Sequence, residues 1–461
     1  MMTDNVTTTT AIQDLPLRGR HWYIVLVASM EQIIGAALST LVGIVIPLLN
    51  MIVRPELPSF VQGCMAAMGL IGIAIGSAVI GSLSDRQGYA RWFRICPALA
   101  VAGSGIATIA PNAATICAGL FTAGFGVGGG YILDSNYISE LMPAKWRSFM
   151  VGVAKSSSAI GFVLPAALAV LILRAEPSAA MWRPMVWIIG ALAAVTLLMR
   201  LRWADSPAWL ASKGRQGDAL KAARYFFGPG VAPGQNANTG AAVKQNGLRA
   251  LFKGRNLLRV IYSGIPWACE GLGVYGIGVF LPILIMAMGM DATHATGIAK
   301  IINSVELTAA INFCILPGFL IGLAVVNRIN HATMMWAGFV GSAAGMAVLL
   351  LAYANGWPTW VSVAAFMAFE IMLNAGPHLV TYIIPVSIYP VADRGAGSGM
   401  ASFLGKLGAI AGVFLVPVLL KAGGIELVLT VTVAVMLLGA LISIIFSRLL
   451  GLTANLKDAS K

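Results

Sequence analysis

Pro143-Ala-Lys-Trp-Arg147-Ser-Phe-Met-Val-Gly152, followed by Gly161, and Pro390-Val-Ala-Asp-Arg394-Gly-Ala-Gly-Ser-Gly399, followed by Gly408, carry one pattern, Pro-x3-Arg-x4-Gly-x8-Gly, in register and without a gap. Each copy opens an apolar stretch, and the two stand on either side of the chain's one long polar segment, Arg202 to Asn256. Twelve apolar stretches, the first near 22–50 and the last near 424–448, are each long enough to cross a hydrocarbon core of about 30 Å. Six precede the polar segment and six follow it. The chain therefore reads as an all-α multi-pass membrane protein with 12 transmembrane helices in two six-helix bundles: residues 1–202, a cytoplasmic linker 203–257, and residues 258–461. Within the linker, Ser206 to Phe227 has helical character, and Gly228 to Gly240 is a flexible stretch by composition.

Composition agrees. The chain is 58% hydrophobic and 10% charged, with 52 glycines in 461 residues, whereas a soluble domain averages about 25% charged residues. Glycine at this level suits helices that pack by close backbone approach. The net charge of +13 invites a nucleic-acid partner, but its distribution excludes one. With both termini placed in the cytoplasm, 23 of the 30 lysines and arginines fall on the inner side and only Arg54, Arg174, Arg183 and Lys421 on the outer. That is a positive-inside pattern for a plasma (inner) membrane protein, and the basic loops suit contact with anionic lipid. The five cysteines and four histidines fall at unrelated spacings, so no metal site or disulfide framework is expected. Gly124-Phe-Gly126-Val-Gly128-Gly-Gly130 has no strand before it and reads as helix packing rather than a nucleotide loop. No cofactor and no enzyme activity are expected.

Seven charged residues interrupt the apolar stretches: Glu31, Asp134, Lys155, Glu270, Glu306, Glu370 and Lys406. Each would cost roughly 3 kcal/mol at the centre of a bilayer if it faced lipid, so they must face one another, water or a ligand. At 1.5 Å per residue, Lys155 stands about 12 Å above Arg147 and Lys406 about 18 Å above Arg394, one near the midplane in each half. Two readings stay open for them: contact with an anionic substrate, or neutralisation of nearby carboxylates. Glu370, Asn374, Pro377 and His378 share one face of their helix, which fits either a gated, ligand-lining helix or satisfied packing. Glu270 sits between Trp267 and Tyr275, and Glu306, with Asn303 one turn away, is placed to pair with Lys406 or Lys155. A proton carried across needs a buried carboxylate that loads on one side and releases on the other; Glu31, Asp134 and Glu306 are the candidates.

Gly81-Ser-Leu-Ser-Asp85-Arg86-Gln-Gly88-Tyr-Ala-Arg91 resembles the signature loop of the major facilitator superfamily. Tyr137-Ile-Ser-Glu140-Leu-Met-Pro143-Ala-Lys-Trp-Arg147 resembles the motif after helix 4 of its sugar-porter branch, and Ala204-Asp205-Ser206-Pro207-Ala-Trp209-Leu210 the one after helix 6. Tyr275-Gly-Ile-Gly-Val-Phe-Leu-Pro282 is similar to helix 7 of organic metabolite:proton symporters of that branch. The resemblance implies that helices 1, 2, 4, 5, 7, 8, 10 and 11 line a central cavity, the set on which all seven charges fall. It also implies that Gly81, Asp85, Arg86, Gly88, Arg91, Glu140, Arg147, Asp205 and Arg394 form a cytoplasmic gate. The second half carries degraded copies, with Ser387 for Glu140 and Asn327-Arg328 for Asp85-Arg86. Lys155 falls where sugar porters carry a sugar-binding glutamine. The helix-1 aspartate of proton-coupled sugar porters would stand near Ala37, and their helix-7 glutamine pair is replaced around Cys269-Glu270.

The expected function is secondary active transport of a small organic metabolite by alternating access. A monomer in the lipid bilayer would take up an organic anion with a proton as coupling ion, with Lys155, Lys406, Glu270, Tyr275, Glu370 and Asn374 at the substrate. The alternatives are export of a cationic or amphipathic compound, favoured by five intramembrane carboxylates against two lysines, transport of a sugar, or a sensor that binds without translocating. The tail after Leu449 offers little to signal with.

Overall fold

The computed structural model describes residues 10–53, 57–233, 251–288, 297–390 and 393–452. Arg54, His294 and most of the Gly228–Gly240 stretch lie outside the described residues, as do the side chains of Lys300, Asn303 and Pro282.

Twelve spans run in chain order. In the first half they are α1 Gly19–Ile52, α2 Ser59–Gln87, α3 Tyr89–Thr108, α4 Ala113–Leu141, α5 (Arg147–Ser156 continuing as Ser158–Ala175) and α6 Trp182–Arg200. In the second half α7 runs over Gly254–Gly271, a π-helical turn Leu272–Ile277 and Gly278–Ala287. Next come α8 (Gly297–Asn312 and Ile315–Val325), α9 His331–Ala354 and α10 (Thr359–Ala375 and Pro377–Ile388). α11 and α12 share the segment Arg394–Leu449 and part where Gly423 and Gly424 leave helical angles, Gly424 at φ 65°. Among the described residues, eleven helices are long and apolar enough to cross a membrane; α3, with Arg91 and Arg94 in its first turns, completes the series.

Between α6 and α7, short helices Pro207–Ser212 and Gln216–Phe227 lie against the ends of the first bundle. A two-residue parallel ladder ties β1 Thr10–Ala11 to β2 Val231–Ala232, so the N-terminal segment is laced to the linker. Both termini of the described chain and the linker are thus on one face, here the linker face.

Close backbone approach fixes the helix pairs. A Cβ on Gly72 would fall 2.3 Å from Phe121 O and one on Gly76 2.1 Å from Phe125 O. In return, a Cβ on Gly124 would fall 2.2 Å from Gly69 O and one on Gly128 2.2 Å from Ile73 O. The glycine-rich run of α4 is therefore the seam with α2. The halves meet through α2 against α11, α5 against α8 and α10, and α1 against α7. Four of these helices break mid-membrane: α5 at Ser157, α7 at its π turn, α8 at Asn312–Cys314 and α10 at Gly376. Irregular backbone at this depth is tolerated where it faces protein or a cavity rather than lipid, and π turns concentrate at functional sites.

Gly76→Val should force α2 and α4 apart and cost about 1–3 kcal/mol. Gly105→Val, whose Cβ would meet nothing within 4 Å, should leave the thermal midpoint in detergent unchanged. Equal midpoints for both variants would contradict the seam.

Candidate functional site

The breaks in α5, α7 and α10 surround a buried cluster contributed by both halves. Lys155 of α5 and Lys406 of α11 are each 4% exposed, and Glu270 of α7 is 1% exposed. The Lys406 ammonium donates to the Tyr275 hydroxyl at 2.8 Å and lies 4.2 Å from that ring's centre; the π turn of α7 aims Tyr275 at it. Lys155 rests 4.8 Å from the centre of the Tyr382 ring. Tyr382 accepts from Gln32 Nε2 at 3.2 Å and packs on Trp267 and Tyr131. Glu270 lies in the field of both lysines, yet among the described residues neither lysine has a carboxylate within ion-pair distance. Two desolvated cations are held by aromatic faces and one hydroxyl, an arrangement that attracts an anion.

Along α10, Asn374 Nδ2 donates to the Glu370 backbone carbonyl at 2.8 Å and to Glu370 Oε2 at 3.1 Å. Asn374 Oδ1 meets His378 Nδ1 at 2.7 Å across the helix break, and His378 Nε2 faces Glu270 Oε1 at 3.6 Å. Beside this row is a cavity of about 20 Å³ lined by Thr40, Phe162, Tyr275, Asn312, Glu370 and Asn374, room for about one water. Tyr382 continues the four-residue spacing of Glu370, Asn374 and His378, a signal that sequence reasoning left unused.

Glu31 and Asp134 are brought together away from the lysines. Both meet Arg200, the last residue of α6: Glu31 Oε2 at 3.0 Å from Nη1 and Asp134 Oδ1 at 2.8 Å from Nη2. Arg200 is 0% exposed, donates to Val27 O at 3.0 Å and stacks 3.8 Å from the centre of the Phe93 ring. Sequence reasoning counted Arg200 among the loop cations; it is instead an eighth intramembrane charge, on a helix outside the lining set. Glu306 corrects a second expectation. It pairs with Arg174 at the far end of α5, with both side chains partly exposed, and not with Lys155 or Lys406. The first segment of α8, before its break at Asn312–Cys314, carries Glu306 to the end of α5 that bears Arg174, opposite the linker.

At the linker face the halves are joined. Asp85 Oδ2 accepts from the Ala396 amide at 2.9 Å, in the first turn of α11, where the helix dipole favours an anion. Arg394 Nη1 reaches back across the interface to Ser139 Oγ at 3.3 Å and Glu140 Oε1 at 3.5 Å. Glu140 also accepts from the Tyr89 hydroxyl at 3.2 Å and from Ser206, and Arg147 lies in its field. Asp205 accepts from the Ala90 amide at 2.7 Å. Gly88, at φ 98°, adopts a left-handed conformation there, and a Cβ would fall 2.9 Å from Asp205 Oδ1. Gly81 presses on Gly395, where a Cβ would come 2.7 Å from its carbonyl. Burial lowers the Lys213 amine from its ordinary value, and Asp85 works against that shift. Arg86 and Arg91 are exposed; Arg86 lies in the field of Lys213, and the Arg91 guanidinium lies 6.0 Å from the centre of the Trp92 ring. In the second half Asn327 and Arg328 are exposed, and Ser387 donates to its own helix, at Ile383 O.

Two outcomes follow from this geometry. Arg200→Met leaves two buried carboxylates uncompensated and should cost about 3–5 kcal/mol. Adding Glu31→Gln and Asp134→Asn should restore the thermal midpoint; no recovery would mean that Arg200 acts through packing on Phe93 alone. Arg394→Ala with Asp85→Ala should open the linker face. Ser77→Cys, at the α2–α11 contact, should then react several-fold faster with a membrane-impermeant thiol reagent applied from that face.

The family described as "Sugar (and other) transporter" matches residues 25–449. The inner membrane metabolite transport protein YgcS of Escherichia coli (strain K12) is 23% identical over 435 residues, 94% of this chain and 92% of its own. The niacin transporter NiaP of Acinetobacter baylyi is 25% identical over 406 residues, 87% of each. The proton:xylose symporter XylE bound to 6-bromo-6-deoxy-D-glucose superposes with a TM-score of 0.75 at 19% identity, covering 92% of this chain and 95% of that one. Matched along nearly its whole length and similar in fold to XylE, this chain is a multi-pass membrane transporter of small metabolites, not an enzyme, and belongs to the sugar (and other) transporter family of the major facilitator superfamily.

Proposed function

We propose that the protein imports a small organic anion, most simply a carboxylate, together with a proton by alternating access. It would act as a monomer in the plasma (inner) membrane with the linker face cytoplasmic. The bundles of residues 1–202 and 258–461 would rock about the central cluster while the linker 203–257 stays at the inner surface. The observation that carries this reading is that Lys155 and Lys406, both buried, have no ion-pair partner among the described residues. An uncompensated buried charge costs several kcal/mol, and a bound anion offsets that cost.

The excess of carboxylates that favoured a cationic cargo does not reach the centre. Arg200 engages Glu31 and Asp134, and Arg174 engages Glu306, which leaves Glu270 in the field of the two lysines and Glu370 bonded to Asn374. NiaP, by its name a niacin transporter, handles an aromatic carboxylate, and Tyr275, Tyr382 and Trp267 would suit such a ring. Glu31 and Asp134 share the single charge of Arg200, so the triad is neutral when it holds one proton; that supports a role in coupling. Asp85, Glu140, Arg394 and their neighbours would close the cytoplasmic gate while the cavity loads from outside.

A thermal-shift panel of carboxylates, sugars and organic cations on detergent-purified protein tests the reading. A ligand at a hundred times its dissociation constant adds about 2.7 kcal/mol to the bound state. Carboxylates should raise the midpoint in the wild type and fail to do so in Lys155→Ala or Lys406→Ala. Stabilisation by sugars or cations that survives Lys155→Ala would overturn it and leave the lysines as internal counter-ions.

A further inference from the structure

His378 is buried, carries a titratable ring, and has no part in the reading above, although it stands between the α10 polar row and Glu270. Its tautomer is fixed by its neighbours. One amide atom of Asn374 contacts the backbone carbonyl of Glu370. A carbonyl only accepts, so that atom is Nδ2, and Oδ1 is the atom facing His378 Nδ1 at 2.7 Å. Nδ1 must then carry the ring's proton, and neutral His378 would turn a bare Nε2 lone pair toward Glu270 Oε1, 3.6 Å away. Among the described residues, Glu270 Oε1 is itself buried without a hydrogen-bond donor. Phe162 and Phe319 pack on the imidazole, with ring centres 5.9 and 5.2 Å away. Two acceptors facing each other in a dry site repel unless a proton lies between them.

We infer that Glu270 and His378 together hold one proton, and that this proton licenses anion binding by withdrawing Glu270 as a counter-ion for Lys155 and Lys406. This rests on the organic-anion reading. With the proton gone, ionised Glu270 lies in the field of both lysines and competes with the substrate; with the proton held, the two ammonium groups are available to it. The other groups in the field of the pair are Lys155 of α5, Lys406 of α11 and Tyr275 of α7, with Glu370 of α10 reached through Asn374. Asn374 is a positioning residue: it acts only by setting which ring nitrogen faces Glu270.

The proton pair can be read without a ligand. The chain has four histidines, so His21→Gln, His294→Gln and His331→Gln leave His378 alone for nitrogen-15 NMR on the full-length protein in nanodiscs. The proton on Nδ1 should persist throughout, while Nε2 titrates in a step that disappears in Glu270→Gln, whose amide can donate to Nε2. Asn374→Ala, the second variant, should release the tautomer. A proton fixed on Nε2, or a titration unchanged by Glu270→Gln, would overturn the proposal. Licensing is then read with nicotinate as the probe. Its dissociation constant in the wild type should be lowest below the titration and rise about tenfold for each pH unit above it, and Glu270→Gln should flatten that slope. Wild-type binding that is independent of pH would overturn licensing. Failure of nicotinate and every other carboxylate to bind refutes the anion reading, and the NMR result still decides the proton pair.

Discussion

The cost of leaving a charge unpaired in a low-dielectric interior is the constraint on which the rest of this protein depends. The same cost is met in two ways. Arg200 is surrounded by two carboxylates, a backbone carbonyl and the face of Phe93, so α1, α3, α4 and α6 are pinned together as one body. Lys155 and Lys406 are held by rings and a hydroxyl, which solvate an ammonium only in part. The first arrangement makes a rigid half. The second leaves a need that an incoming molecule can meet, and it spans both halves, so meeting it draws them together.

The two halves of the repeat divide the labour unequally. In the first half, Asp85 caps α11 and Glu140 receives Arg394, Tyr89 and Ser206. In the second, the corresponding Asn327 and Arg328 are exposed and Ser387 bonds inside its own helix. The halves are therefore latched by residues of one bundle gripping the start of one helix of the other. Glycine contacts complete the latch: Gly81 against Gly395 and Gly399 against Ser77 leave no room for a side chain at α2–α11. A latch built from backbone approach and one buried pair is either fully engaged or open, because packed interfaces do not deform continuously.

Much of this was legible in the chain because three kinds of signal are local. The repeat around Arg147 and Arg394, the apolar lengths and the motif residues Asp85, Glu140 and Asp205 each lie within a few residues of one another, and the twelve spans follow from them. What escaped was set by three-dimensional packing. Arg200 ends an apolar stretch and reads as a loop cation; only the packing of α6 on α1 and α3 carries it inward. The partner of Glu306, Arg174 at the far end of α5, lies more than a hundred residues away in sequence and is set by the packing of α5 on α8. Tyr382 was within reach, one further turn along the stripe of Glu370, Asn374 and His378. The opposition of His378 and Glu270, on α10 and α7, could not be read from spacing at all.

The two ends of the molecule also differ in what opening them requires. On the linker face Glu140 is 1% and Arg394 10% exposed at the side chain, and separating a buried pair leaves one charge stranded at about 3–5 kcal/mol. On the opposite face Arg174 and Glu306 are 65% and 37% exposed, and such a pair contributes only about 0–1 kcal/mol. Among the described residues, then, the easier opening is on the face away from the linker. Opening the linker face requires an opposing gain. A ligand that bridges Lys155 of one half and Lys406 of the other pulls α5 and α11 toward each other at mid-membrane. Closing the halves there favours levering them apart at the latch, so a contact made at the centre of the molecule can be felt at the linker face.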